Sequence, residues 1–229
     1  VASELAFRTE TLAIVPSGSL YYVPFQILAP TADSTSKPLG VDRTIFYVPE
    51  LSVPAARRGP RPVMRLAAFG NADNTLPSAE REVLDLKRLY PSATVFLRTE
   101  ATEARAKLLP ANFTVVHFAT HGNLDYENFD NSFLTLAPGA GGAEDGKLTL
   151  KEVWSLNGFD KRQLVVLSAC NTAVADEQVA GWPNSPATAF LDVGVPTVVA
   201  SLWPVDDAAT AVLITAFYRN MRTMDTAEA

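Results

Sequence analysis

Gln163-Leu164-Val165-Val166-Leu167-Ser168-Ala169-Cys170-Asn171 is the stretch that decides the fold. Its Leu-Val-Val-Leu centre is apolar without alternation, as a central parallel strand must be when both of its faces are covered. Parallel neighbours need crossover helices, so strands and helices should alternate on either side of it. They do. Val63 to Phe69, Ala93 to Leu97 and Thr114 to Thr120 read as three further strands. Between them, Ser78 to Tyr90 sets Ala79, Val83, Leu86 and Tyr90 on one helical face, and Thr102 to Leu109 forms a short helix. Downstream, Ala187 to Val193, Thr197 to Leu202 and Asp207 to Met221 supply a helix, a fifth strand and a long, largely apolar helix. Phe133 to Leu136 and Lys147 to Leu150 form a small excursion that ends in a helical turn at Leu150 to Leu156. The expected fold class is α/β, a mostly parallel sheet flanked by helices on both faces in three layers.

Residues 1–62 read as a β-rich extension of the same domain, and residues 63–229 as its core. Leu12 to Pro16 and Leu20 to Pro24 flank Ser17-Gly18-Ser19, which predicts an N-terminal β-hairpin. A third β-prone run, Thr44 to Val48, follows a polar loop at Thr31 to Lys37. The Pro/Arg-rich connector from Arg57 to Pro62 is the one candidate boundary. No internal repeat or low-complexity tract is present. The chain opens on Val1-Ala2-Ser3-Glu4 without a methionine and stops at Ala227-Glu228-Ala229 just beyond a helical pattern, so we expect it to be a piece of a longer polypeptide.

Composition narrows the function classes. An apolar fraction of 48% and a charged fraction of 19% suit a globular protein. A net charge of −6 argues against nucleic acid or an anionic membrane as a direct partner. Apolar runs are broken by Asp192, Pro196 and Pro204 before reaching the length that spans a bilayer. One cysteine, Cys170, and two histidines, His117 and His121, leave no disulfide framework and no ordinary Cys/His zinc site within the chain. A reducing compartment, the cytoplasm, is the expected location.

In open α/β sheets ligands bind outside the carboxyl ends of the strands. His121 follows the third core strand, Cys170 the fourth, and Asp206-Asp207 the fifth after Trp203-Pro204-Val205, so all should share one edge. A thiol with an ordinary pKa near 8.5 is only a few per cent thiolate at neutral pH, and a nucleophilic cysteine therefore needs an imidazole beside it. Neighbouring strands about 4.8 Å apart can bring two strand-end side chains together. From His121 to Cys170 is 49 residues, close to the roughly 50 of caspases. Gly122 lets backbone approach a substrate carbonyl, and its amide with that of Cys170 can donate to an oxyanion. The plainer alternative makes Cys170 a buried small hydrophobe and His121 a loop residue.

The chain resembles the CHAT domain, the caspase-like peptidase domain often joined to tetratricopeptide repeats and related to separases. The matching stretches are Ile14-Val15-Pro16, Pro24-Phe25, Phe69-Gly70-Asn71, Leu76 to Val83, His117 to Gly122, Leu167 to Cys170 and Val199 to Asp207. The resemblance implies a caspase-like fold, His121 and Cys170 as the catalytic dyad, and the amides of Gly122 and Cys170 as oxyanion donors. It implies a protein or peptide substrate, no cofactor and no metal, and control by attached repeats or a partner domain. The sequence departs from the family pattern at Asn171-Thr172-Ala173 and in the loop from Gly181 to Pro186, which puts two prolines into one wall of the cleft. The resulting expectation is a cysteine endopeptidase; the alternative is a catalytically silent scaffold or regulatory domain.

Four other features are weighed against plainer readings. His117, about 13 Å of strand rise from His121, is expected to be a structural core histidine. Asp206 and Asp207 cap the last helix, receive a basic P1 side chain, or both. Asp125, Glu127 and Asp130 solvate a loop rather than orient His121. Gly141 to Lys147 has Walker A spacing, but Leu148 stands where a Mg²⁺-binding Ser or Thr is required and a strand follows instead of a helix, so nucleotide binding is not expected.

Overall fold

The computed structural model describes residues 11–31, 36–48, 63–125, 127–142, 144–169, 185–202, 205–226 and 228–229. At the N-terminus β1 (Thr11–Ile14) pairs in parallel with β2 (Thr44–Tyr47), which follows the short helix α1 (Leu39–Asp42). The hairpin expected at Leu12 to Pro24 does not form, because Gly18–Tyr22 is a turn of 3-10 helix. Pro16 and Pro24 would withhold an N–H from each arm of such a hairpin, and Gly18 turns the chain at φ +53°. The Tyr47 hydroxyl holds this arrangement by lying 3.0 Å from the Val23 carbonyl and accepting the Phe25 N–H at 3.2 Å.

The core follows the alternation in the sequence. β3 (Leu66–Gly70), α2 (Pro77–Leu89), β4 (Thr94–Leu97), α3 (Glu103–Lys107) and β5 (Val115–Ala119) come first. A three-stranded antiparallel excursion follows: β6 (Gly122–Asn123), β7 (Phe133–Thr135) and β8 (Lys147–Thr149), leading into α4 (Leu150–Trp154). β9 (Leu164–Ser168), α5 (Pro186–Asp192), β10 (Val198–Ala200) and α6 (Asp207–Asn220) complete it. The central sheet has the order β10-β9-β5-β3-β4, and every pairing in it is parallel. The strand after Gly146 is the one that argued against a phosphate loop.

Strand parity sorts the sheet into two faces. On one, Leu66, Val115, Leu164 and Val166 pack with Leu86 of α2 and Ile214 and Tyr218 of α6. Gly70 lies on this face because a Cβ there would come within 2.6 Å of Val83 Cγ2, so α2 sits closer to β3 than any side chain would allow. On the other, Ala67, Phe69, Val116, Phe118, Val165 and Leu167 meet Val153 of α4 and Phe190 of α5. Rings run across that face from Phe96 to Phe69 (4.8 Å), Phe118 (5.3 Å), Phe190 (5.9 Å) and Phe159 (5.6 Å). Helices cover both faces, which makes the three-layer α/β/α arrangement that the pattern required. Among the described residues no helix is long and apolar enough to cross a membrane.

Phe118 stands in the middle of the ring series and is fully buried. Phe118→Ala removes a ring that cannot be replaced by collapse of β5, because the strand is hydrogen-bonded on both sides. A loss of about 3–5 kcal/mol is expected from urea unfolding followed by far-UV circular dichroism.

Candidate active site

Beneath the carboxyl edge of the sheet lies a buried polar cluster. His117 is fully buried, with Nε2 2.8 Å from Glu82 Oε1 and its ring edge-on to Tyr218 at 5.6 Å. The Nε2 to Oε1 approach is close but does not align the N–H on the oxygen. Ser168 of β9 donates to the other carboxylate oxygen of Glu82 at 3.1 Å. Burial, and then the nearby Glu82 and Tyr90, push the Tyr218 hydroxyl well above its ordinary pKa, so it stays protonated. His117 is the structural residue expected, but a carboxylate from α2 meets it rather than backbone or Thr groups. Glu82 was missed. The signal was present, since Glu82 lies three residues after Ala79 and four before Leu86, inside the apolar stripe of α2.

β5 ends at Ala119, directly opposite Ser168, and the Thr120 N–H reaches the Ser168 carbonyl at 3.3 Å. His121 is next. Its carbonyl accepts the Thr135 N–H at 2.9 Å, and that bond makes Gly122 and Leu134 a non-hydrogen-bonded pair of the β6–β7 ladder. The Gly122 N–H therefore points away from β7. The imidazole of His121 is 40% exposed, and its Nε2 lies 2.7 Å from Thr75 Oγ1 and 3.7 Å from Asp73 Oδ2. Thr75 in turn donates its hydroxyl to Asp73 Oδ1 at 2.7 Å and its N–H to the same oxygen at 3.1 Å.

The loop that carries Asp73 and Thr75 is built on Asn71, which is 2% exposed and left-handed at φ 51°. Its N–H donates to the Ala119 carbonyl (3.0 Å), its Oδ1 accepts the Leu76 N–H (2.7 Å), and its Nδ2 donates to Glu80 (2.9 Å). Asn tolerates this backbone conformation better than most residues. The loop after β3 is thus tied to the end of β5, which places Thr75 beside His121. Burial pulls the Asp73 carboxyl upward, but the Thr75 hydroxyl and amide and the charge of His121 outweigh it and hold the group below its ordinary value. Stability from these bonds is therefore fully present above the ordinary carboxylate range, and it is lost as pH falls through the depressed value.

A family model described as "CHAT domain" matches residues 1–229, the whole chain. The chain belongs to the CHAT domain family. It is accordingly a caspase-like, peptidase-related domain. No curated protein matches it.

Within this CHAT domain the other candidates separate. Cys170 and residues 171–184 lie outside the described residues, as do Trp203 and Pro204. Asp206 is the N-cap of α6, its Oδ1 accepting the Ala209 N–H at 2.8 Å, while Asp207 occupies the first turn half-buried. β5, β9 and β10 run parallel, so His121 and Asp206 follow strand ends at the same edge. Asp125 accepts the N–H groups of Glu127 and Asn128, both at 3.0 Å, and these hold its pKa down; it shapes its own loop, as expected. Glu103, Glu144 and Glu152 bring carboxylate oxygens within 4.8 Å of one another, yet Lys107 Nζ already sits 2.6, 2.7 and 2.8 Å from them. An ammonium fills that cluster and fastens the 144–146 segment to α3.

Glu82→Leu leaves His117 and Ser168 without their carboxylate in a dry layer, and should cost about 3–5 kcal/mol in denaturant unfolding. Adding His117→Leu to it should recover part of that loss, so the double-mutant cycle is expected to be strongly non-additive.

Proposed function

We propose that this CHAT domain is a cysteine endopeptidase in which Cys170 is the nucleophile and His121 its base, acting on a protein or peptide. The observation that carries the reading is strand register. Ala119 faces Ser168, and His121 and Cys170 each follow two residues later in the chain. Two further features support it. The Gly122 N–H is unused by its ladder, and the Ser201 hydroxyl holds the carbonyl of Ala169, the residue before Cys170, at 2.5 Å.

His121 takes the proton of the Cys170 thiol, and the thiolate sulfur forms a bond to the scissile carbonyl carbon. The charge that gathers on the carbonyl oxygen is met by the N–H groups of Gly122 and Cys170. The C–N bond breaks as the imidazolium gives its proton to the leaving amine. A water, deprotonated by His121, then attacks the thioester carbon, the C–S bond breaks, and the carboxylic acid product leaves with the thiol restored. Asp206 is committed to capping α6, so Asp207 is the carboxylate assigned to a basic P1 side chain. Attached tetratricopeptide repeats or another regulatory domain control access to this site in the cytoplasm.

Cys170 is the sole cysteine, so iodoacetamide reports on it alone. At pH 7 it should react about tenfold faster than a free cysteine peptide, and His121→Ala should remove the advantage. Cys170→Ala should abolish cleavage of lysyl and arginyl reporter peptides without moving the melting temperature, and Asp207→Asn should raise KM for them. Cleavage that survives Cys170→Ala overturns the proposal. A thiol no faster than the free peptide favours the silent scaffold.

A further inference from the structure

We propose that Thr75, itself held by Asp73, is the positioning residue that fixes the tautomer and orientation of the His121 imidazole. The inference rests on the Cys170–His121 reading above and extends it by the residue that makes the base competent.

Proton counting decides the direction of the two short contacts. An ionised carboxylate accepts and does not donate, so the single hydroxyl proton of Thr75 goes to Asp73 Oδ1, 2.7 Å away. The Thr75 oxygen is then an acceptor at its other contact, 2.7 Å from His121 Nε2. Nε2 must carry a proton, and Nδ1 is left as the nitrogen that takes the proton of the thiol. Once the imidazole is doubly protonated, Nε2–H still donates to Thr75, so the bond is kept through the proton-transfer cycle. Asp73 Oδ2, at 3.7 Å from Nε2, is too far for a hydrogen bond; its charge reaches the ring directly, and its hydrogen bonding reaches the ring through Thr75.

The loop that carries Thr75 is anchored at its base by hydrogen bonds. Asn71, buried at the loop's base, bonds to the ends of β5 and α2 at once. Thr75 and His121 are thereby referred to the same strand end, and the distance between them does not depend on the outer loops. Asp125, Glu127 and Asp130, which lie nearer His121 in sequence, face their own loop or solvent instead.

The test is the second-order rate of Cys170 alkylation by iodoacetamide at pH 7, read with the melting temperature of each variant. Thr75→Val keeps the shape and removes the hydroxyl, and the rate should fall about tenfold. Thr75→Ser keeps the hydroxyl and should stay within about twofold of the native rate, a rescue that loop packing alone does not give. Asp73→Asn should slow alkylation in the native background and by clearly less once Thr75→Val is present, because the part of its effect that passes through that hydroxyl is then already lost. Equal rates for native and Thr75→Val, with His121→Ala still slow, overturn the role of Thr75 and leave the dyad standing. If His121→Ala leaves the rate unchanged, the dyad falls and this inference falls with it. An Asp73→Asn effect as large in the Thr75→Val background as in the native one overturns the relay.

Discussion

One carboxylate under the sheet fixes where everything else must lie. Glu82 projects from α2 into a largely apolar layer and reaches two adjacent inner strands, His117 on β5 and Ser168 on β9. A carboxyl group buried in such a place is tolerable only when it is met by polar partners, so α2 has one acceptable position over the sheet where its apolar stripe alone would allow several. A buried pair of this kind contributes little net stability compared with a well-packed apolar substitute. What it supplies is register.

That register passes along the chain to the site. α2 begins at Pro77, and the Asn71 to Leu76 loop leads into it from the end of β3. With α2 held by Glu82 and close-packed against Gly70, the loop has few paths open, and Asn71 selects one by bonding to Ala119 on the next strand. The imidazole that follows β5 and the hydroxyl that follows β3 then meet at one edge. The opposite face centres on a layer of stacked Phe rings whose dispersion contacts set spacing rather than direction. On the excursion Lys107 plays a comparable part, gathering three carboxylates from α3, the 144–146 segment and α4. Burial alone would lower its pKa, but those carboxylates hold it above the ordinary value, so it remains charged and the knot stays tied.

Much of this was legible from residue types. Leu164 to Leu167 could be assigned to a doubly covered strand because parallel strands leave no face for polar residues, and the helices between strands announced themselves by the spacing of Ala79, Val83 and Leu86. His117 could be placed in the core by its neighbours in the strand. The N-terminal hairpin was misread for a definite reason: β propensity and a Ser-Gly-Ser turn are local signals, whereas the parallel partner of β1 lies some thirty residues on and is found only after α1 has reversed the chain. The acidic residues after His121 were the natural ones to examine as its orienters, since they are close in sequence. Those that meet the ring come from a loop 46 residues earlier, and no periodicity links Thr75 to His121.

The sequence by itself determined the layer architecture, the order of strands and helices in the core, the family and the position of His121 just after a strand, because each of these follows from hydrophobic period or from short motifs contiguous in the chain. Only the tertiary structure decided the parallel pairing of β1, the carboxylate that meets His117 and the hydroxyl that meets His121. The physical reason is common to all three. Hydrogen bonds and ion pairs act over a few ångströms in space and are blind to distance along the chain, so their partners become known only when packing has set one element against another.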